Sequence, residues 1–433
     1  MLHTDSDTEL LLTLQRNTFQ YFAQEGNPTN GLMRDSTQPG SEASIAAVGL
    51  GLTASIVAVE RGLMTRAEAL KQAIVTLRFF RDSPQGAEPD ATGYKGFYYH
   101  FLDMKTGRRD NNCELSSIDS ALLLAGFLTT ARYFDRASGE ESELRALVDT
   151  LYARVEWDWM LNSGAALSNG WLPETGFLPH CWKGYSEGSL LYLLALGSPT
   201  HPISSACWLD WTSTYIWRQV YDLEYLYAGP LFIHQLPQCW IDFRFLQDAY
   251  MREKGMDYFD NSRRATYAQQ RYGIDNPHQF AGYGEHCWGL TASAGPGPAD
   301  RTHDGRHFTF FGYKARGVPD GPDDGTLAPD AVAASLPFAP EIVLPTLRHF
   351  KELELDQQIP YGFSAAFNFE FAGSHAGKPD WVSNRTYALN QGATVIMIEN
   401  YLSGLIWRLM RGSPYLRTGL IRAGFQGGWL RGE

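Results

Sequence analysis

"EASIAAVGLGLTASIVAVERG", residues 42–62, is the stretch whose reading decides the fold. Apolar residues recur at spacings of three and four, the period of a helix. Between 43 and 58 they leave almost no polar face. A helix apolar on more than one side belongs to the interior of a larger assembly. "SSIDSALLLAGFLTTARYFD" (116–135) behaves the same way over 120–128. Two such helices point to an inner layer wrapped by an outer one.

The rest of the chain supplies helices for both layers. Periodicity predicts helices over 8–24, 65–83, 139–160, 187–196, 208–219, roughly 238–260, 262–271, 337–354 and 392–410. Thr65 and Ser116 read as N-caps, and Gly62 as a stop. "GFYYHFLDM" (96–104) reads as a short hairpin. No fixed-period repeat is visible, which argues against a solenoid. The expected fold is therefore all-α, an (α/α)6 barrel with short β-hairpins in its loops. No linker divides the chain, so 1–433 is expected to be a single domain. The Gly- and Pro-rich segment 292–330 also carries aromatics and reads as an ordered functional loop.

Composition narrows the function. Forty-eight acidic residues against 36 Lys and Arg give a net charge of −12, with no basic tract, which disfavours nucleic acid as a partner. No apolar run reaches the ~20 residues of a membrane span. The start, "MLHTDSDTELLLTLQRN", lacks the basic and apolar regions of a signal peptide, so a cytoplasmic location stays open. Five scattered cysteines without a CxxC argue against a zinc site, and neither a metal nor another cofactor is expected. Aromatics make up 13% of the chain, a surplus consistent either with a Tyr-rich core or with rings that stack on sugars.

Four helix-entering segments combine acids with rings and glycines: "RRDNNCELSSIDSALL" (108–123), "HCWKGYSEGSLLY" (180–192), "LFIHQLPQCWIDFR" (231–244) and "GYGEHCWGLTASAGP" (282–296). A fifth, "TYALNQGATVIMIENY" (386–401), carries amides instead. Glu187 falls at the N-cap or first position of an apolar helix, where it either caps the helix or, desolvated by Trp182 and Tyr185, holds a proton as a general acid. Its flanking glycines are expected to leave room for a ligand. Glu114 is either a loop partner of Arg108 or Arg109, or a catalytic base. Asp119, one turn into its helix, supports the site or pairs internally. Glu285 caps or catalyses. His234, Trp240 and Trp288 are candidates to bind and stack sugar. Arg244 either contacts substrate or pairs with Asp242, and Glu399 reads as structural. Two carboxylates in one cleft match glycoside hydrolysis, with separations of about 6.5–9.5 Å for inversion or 5–5.5 Å for retention.

Several of these stretches together resemble one family. "ELSSIDSALLLAG", "GYSEGSLLYLLALGSPTHP", "NPHQFAGYGEHCWGLTAS", "DGTLAPDAVAASLPFAPEIVLPTL" and "NQGATVIMIENYLSGLIW" are similar, in order, to glycoside hydrolase family 144, the bacterial β-1,2-glucanases with a glucoamylase-like domain. The resemblance implies an (α/α)6 barrel, metal-independent inverting hydrolysis of β-1,2-glucan, and a periplasmic or secreted location. It also implies that the Glu of the "SEG" motif, here Glu187, is the general acid. Two positions depart from the family pattern. Ala294 stands where an Asp usually follows "WGLTAS", and Asn390, before Gln391, stands where the family has an Asp that is a candidate base.

The expectation is thus a hydrolase of β-1,2-glucan or a cyclic or modified relative. Glu187 is the acid, Glu114 or Glu285 the base, and Trp182, Tyr185, His234, Trp240, Arg244, Trp288, Asn390, Gln391 and Asp119 bind substrate. The alternatives are a glucan-binding protein that has lost its base, or a hydrolase of another bacterial polysaccharide.

Overall fold

The computed structural model describes residues 5–374 and 377–431. The chain is mainly helical. It forms two compact units, each discontinuous in sequence: Met1–Tyr21, Ile216–Leu236 and Phe259–Leu402, then Phe22–Tyr215, Pro237–Tyr258 and Ser403–Glu433. Among the described residues no helix is long and apolar enough to cross a membrane.

The second unit is built on two strongly apolar helices. Ile45–Glu60 and Ser117–Tyr133 are buried along almost their whole lengths. Glycines let them cross in backbone contact. A Cβ on Gly49 would lie 2.3 Å from the Leu122 carbonyl oxygen, and one on Gly126 would lie 2.2 Å from that of Gly49. Ser44 and Ser116 cap the two helices, each accepting a backbone N–H three residues on. Arg66–Asp82, closed by a full capping box of Thr65 and Glu68, packs with Gly139–Ala153.

A five-stranded antiparallel sheet, whose strand Phe97–Tyr99 contacts Ser117–Tyr133, runs in the order Gly93–Tyr94, Phe97–Tyr99, Leu115–Ser116, Gly170–Leu172, Gly176–Phe177. Its register pairs Tyr98 with Ser116 and Tyr99 with Leu115. The sheet brings residue 100 beside the start of the Ser117–Tyr133 helix. Gly188–Gly197, buried at every position, makes a second glycine crossing, with Pro414–Arg422. There a Cβ on Gly419 would lie 2.0 Å from the Leu193 carbonyl oxygen.

The first unit has its own core, in which Leu11, Trp288, Leu336, Val343, Leu347 and Phe367 are buried. Around it lie the helices Tyr258–Asp275, Pro340–Glu352 and Ala388–Leu402. The segment 292–330 is ordered. It carries the hairpin Ala299–His303 and Arg306–Phe310, and it ends in the short helix Pro329–Ala333.

Four expected helices are corrected. The 139–160 helix ends at Ala153, and only the 3-10 turn Trp159–Leu161 follows. Residues 208–219 contain a helix only as Ser205–Thr212, because Trp217–Val220 turns into a hairpin strand. The 238–260 segment breaks into a 3-10 turn, a strand and the six-residue helix Ala249–Lys254, stopped by left-handed Gly255. The 392–410 helix ends at Leu402 and restarts at Leu405 after left-handed Gly404.

Candidate active site

In the second unit, the hairpin, the start of one buried helix and the start of another converge on a group of acids around one imidazole. His100 follows the strand Phe97–Tyr99 and is fixed by its backbone, which donates to the Glu114 carbonyl and accepts from Ile45 N–H. Its Nδ1 lies 3.0 Å from Glu114 Oε1, and its Nε2 lies 3.7 Å from Asp119 Oδ2. Asp119 is held in the first helical turn, where its Oδ2 accepts from Ser116 Oγ at 2.5 Å while Ser116 Oγ accepts Asp119 N–H. Asp35 adds a further carboxylate whose charge is coupled to both His100 and Asp119.

Burial works against the imidazolium, but the charge of Asp119 and the hydrogen bond to Glu114 outweigh it and raise His100 to about 9. Burial likewise pushes Glu114 up, and its bond to His100 more than reverses this, so the carboxyl is held below its ordinary value. Asp35 is raised to about 6, by burial first and by Glu42 second.

His100, Glu114 and Asp119 place ligand atoms within 4.8 Å of one another, the only such group among the described residues. Two acids around one imidazole can also hold a proton on the ring. Both ring nitrogens face carboxylates, an arrangement that favours the ring in its protonated form.

Glu187 occupies the N-cap of Gly188–Gly197, yet its side chain makes no capping bond. The capping role read from the sequence is therefore excluded. Burial instead raises the carboxyl to about 7, opposed by a backbone hydrogen bond and reinforced by the charge of Asp119. Trp182 stands beside it. The indole Nε1 donates to Ser117 Oγ at 2.9 Å, and the ring lies where a Cβ on residue 188 would come within 3.2 Å. Gly188 thus makes room for Trp182, not for a ligand. Tyr185 is buried, edge-on to Tyr215 and stacked on Tyr258.

Several other candidates have structural roles. Glu114 pairs with His100, not with Arg108 or Arg109; Arg109 forks onto Glu174 instead. Trp240 is fully buried and donates Nε1 to Thr53, so it presents no face to a sugar. Arg244 forks onto the buried Asp242 at 2.7 and 2.8 Å and lies over the Trp407 ring, the pairing with Asp242 expected as one of its two roles.

In the first unit, His234 is buried, bonded through Nε2 to the Ala228 carbonyl, and lowered by burial to about 4; a neutral ring of this kind pins the backbone. Trp288 is buried and donates to Thr346, so it too is a core residue. Glu285 is exposed. Glu399 is buried and accepts from Gln15, the structural role expected of it. Asn390 and Gln391 are buried on Ala388–Leu402. Asn390 bonds the Asp330 carboxyl, which burial raises to about 7. Asp330 Oδ1, Gln391 Oε1 and Ser364 Oγ are buried without partners and line one small cavity.

Sequence reading missed His100, Asp35 and Asp330. His100 had a signal, as the one residue of "GFYYHF" whose ordinary pKa lies near neutrality. Asp330 lies inside the motif "DGTLAPDAVAASLPFAPEIVLPTL", where nothing in local spacing sets it apart.

The "Glycoamylase: Putative glucoamylase" family model matches residues 179–414, more than half the chain. The chain belongs to this glucoamylase family. One curated family relative, an exo β-1,2-glucooligosaccharide sophorohydrolase (non-reducing end) of Parabacteroides distasonis, is 28% identical over 96% of the chain. The chain spans 58% of that relative's length. Among solved structures, "a putative glucoamylase" of Bacteroides uniformis has a TM-score of 0.85 at 31% identity, covering 99% of this chain and all of that one. An endo-β-1,2-glucanase of Chitinophaga pinensis, solved with sophorotriose and glucose, has a TM-score of 0.84 at 25% identity, again over 99% and 100%. The family reading made from the glucoamylase motifs therefore stands.

Proposed function

We propose that this chain hydrolyses β-1,2-linked glucans with inversion, Glu187 acting as general acid and Glu114 as general base. The observation that carries the proposal is a pair of carboxyls in one unit driven in opposite directions. Glu187 is raised to about 7, while Glu114 is held low by His100. Carboxyls so separated divide acid and base work at neutral pH. Glu187 protonates the leaving glycosidic oxygen as the C1–O bond breaks. Glu114, bonded to His100 through one oxygen, takes a proton from the attacking water with the other. Asp119 is a positioning residue, since its charge raises Glu187 and helps keep His100 cationic.

The relatives' named activities support the choice of linkage, and their likeness over nearly the whole chain supports the (α/α)6 arrangement. Linear and cyclic β-1,2-glucans should both be offered, with reducing ends assayed and the first-formed anomer followed by NMR. Release of the α-anomer is the expected result. Absence of release from every β-1,2-glucan removes the proposal, and release of the β-anomer removes inversion.

A further inference from the structure

We infer that a groove beside Trp182 is a second glucan-binding site, an outer seat for a β-1,2-linked chain beyond the reacting residue. The inference rests on the glucan reading above. The groove, of about 480 Å³, lies within the second unit and is lined by Asn162, Ala165, Cys181, Trp182, Lys183 and Asp210. Its size falls in the range of roughly 300–1,000 Å³ typical of small-molecule sites.

Its walls are rigid. Trp182 is tied through Nε1 to Ser117, through its N–H to the Leu167 carbonyl and through its C=O to the Tyr192 hydroxyl. Gly184 N–H donates to Thr214 Oγ1. Trp211 is buried and stacked on Tyr192, with ring centroids 4.8 Å apart. On this fixed frame three polar side chains are uncommitted. Among the described residues, the Lys183 ammonium, the Asp210 carboxylate and the Asn162 amide make no side-chain hydrogen bond or ion pair.

Chemistry selects the ligand class. A donor, an acceptor and an amide that is both suit hydroxyls, and an indole suits the C–H face of a sugar ring. One positive and one negative group together favour a neutral polyol over an anion. Continuity supports the placement, because the indole that lines the groove also packs on Gly188, next to Glu187. A chain seated here lies one indole away from the proposed acid.

Cys181 is a built-in reporter. It is the one exposed cysteine, the other four being buried. A maleimide should label it, and a long linear β-1,2-glucan should slow labelling about tenfold at concentrations where the disaccharide does not. Lys183→Ala and Asp210→Ala should each raise KM for the long glucan about fivefold, the equivalent of one hydrogen bond, and leave KM for the shortest substrate unchanged. Unprotected labelling by a glucan that the protein hydrolyses overturns the groove. So do variants with unchanged KM at every length, or with equal changes at long and short lengths. If the wild type hydrolyses no glucan yet a long glucan protects Cys181, the groove stands and the catalytic proposal falls.

Discussion

Glu187 caps nothing, and that single fact separates its two readings. Glu187→Gln should fold normally, with melting temperature little changed, because no capping bond is lost. Turnover should fall by about 10²-fold or more, since an amide cannot protonate the leaving oxygen. Specific activity near wild type would end the catalytic assignment. The pH dependence follows from the same carboxyls. Activity should decline as pH rises through about 7, where Glu187 loses its proton. His100→Gln frees Glu114 from the imidazolium, so burial then raises its carboxyl and the acidic limb of kcat/KM should move to higher pH. An unshifted acidic limb would remove Glu114 as the base. Stability has its own signs. A carboxyl raised by burial is most favourable in the fold at low pH, and its contribution is lost as pH climbs toward 7. His100, raised to about 9 by its carboxylates, contributes fully below about 6.5 and loses that contribution through 9. The Asp330–Asn390 pair gives a further case. Asn390→Asp would set a second carboxylate against a buried one, so the variant should lose on the order of 1 kcal/mol or more at pH 8 relative to pH 5. Equal urea stability of variant and wild type at both values would contradict that geometry.

Helices carry these residues to their places, and the glycine crossings make the helices fit. Gly126→Ala would push a methyl group into the Gly49 carbonyl, where backbone cannot yield as a side chain tip would. A loss of about 1–3 kcal/mol or more is expected, seen as a lower melting temperature. Gly419→Ala should do the same against Leu193, on the helix that mounts Glu187, and should lower activity as well as stability by displacing that mount. An Ala variant at either crossing that melts like the wild type would show that the helices do not pack this closely. The short strands matter for a different reason. Phe97–Tyr99 pairs with Leu115–Ser116, and this register places His100 against both Glu114 and Asp119. A one-residue slip would turn the imidazole to the opposite face.

At the scale of the whole molecule, a chelator should leave hydrolysis unchanged, because the proposed mechanism divides its acid and base work between two carboxyls. A loss of turnover restored by a divalent ion would contradict this. The mainly helical fold was determined by sequence, because residues 43–58 and 120–128 repeat their apolar positions at helical spacing and leave almost no polar face. Family membership was determined by sequence too, because long motifs recur in order. So was Glu187, set off by glycines at the mouth of a helix whose every position is buried. Tertiary structure alone decided which acids meet. Asp35, His100, Glu114, Asp119 and Glu187 are spread over more than 150 positions, and strand register and helix crossings, not local spacing, bring their charges together. It also decided which rings are core. Trp240 and Trp288 look in sequence like any sugar-stacking tryptophan; only the packing of Thr53 and Thr346 against their N–H groups shows that they face inward. Burial and charge pairing are properties of neighbours in space, and a single chain of letters does not carry them.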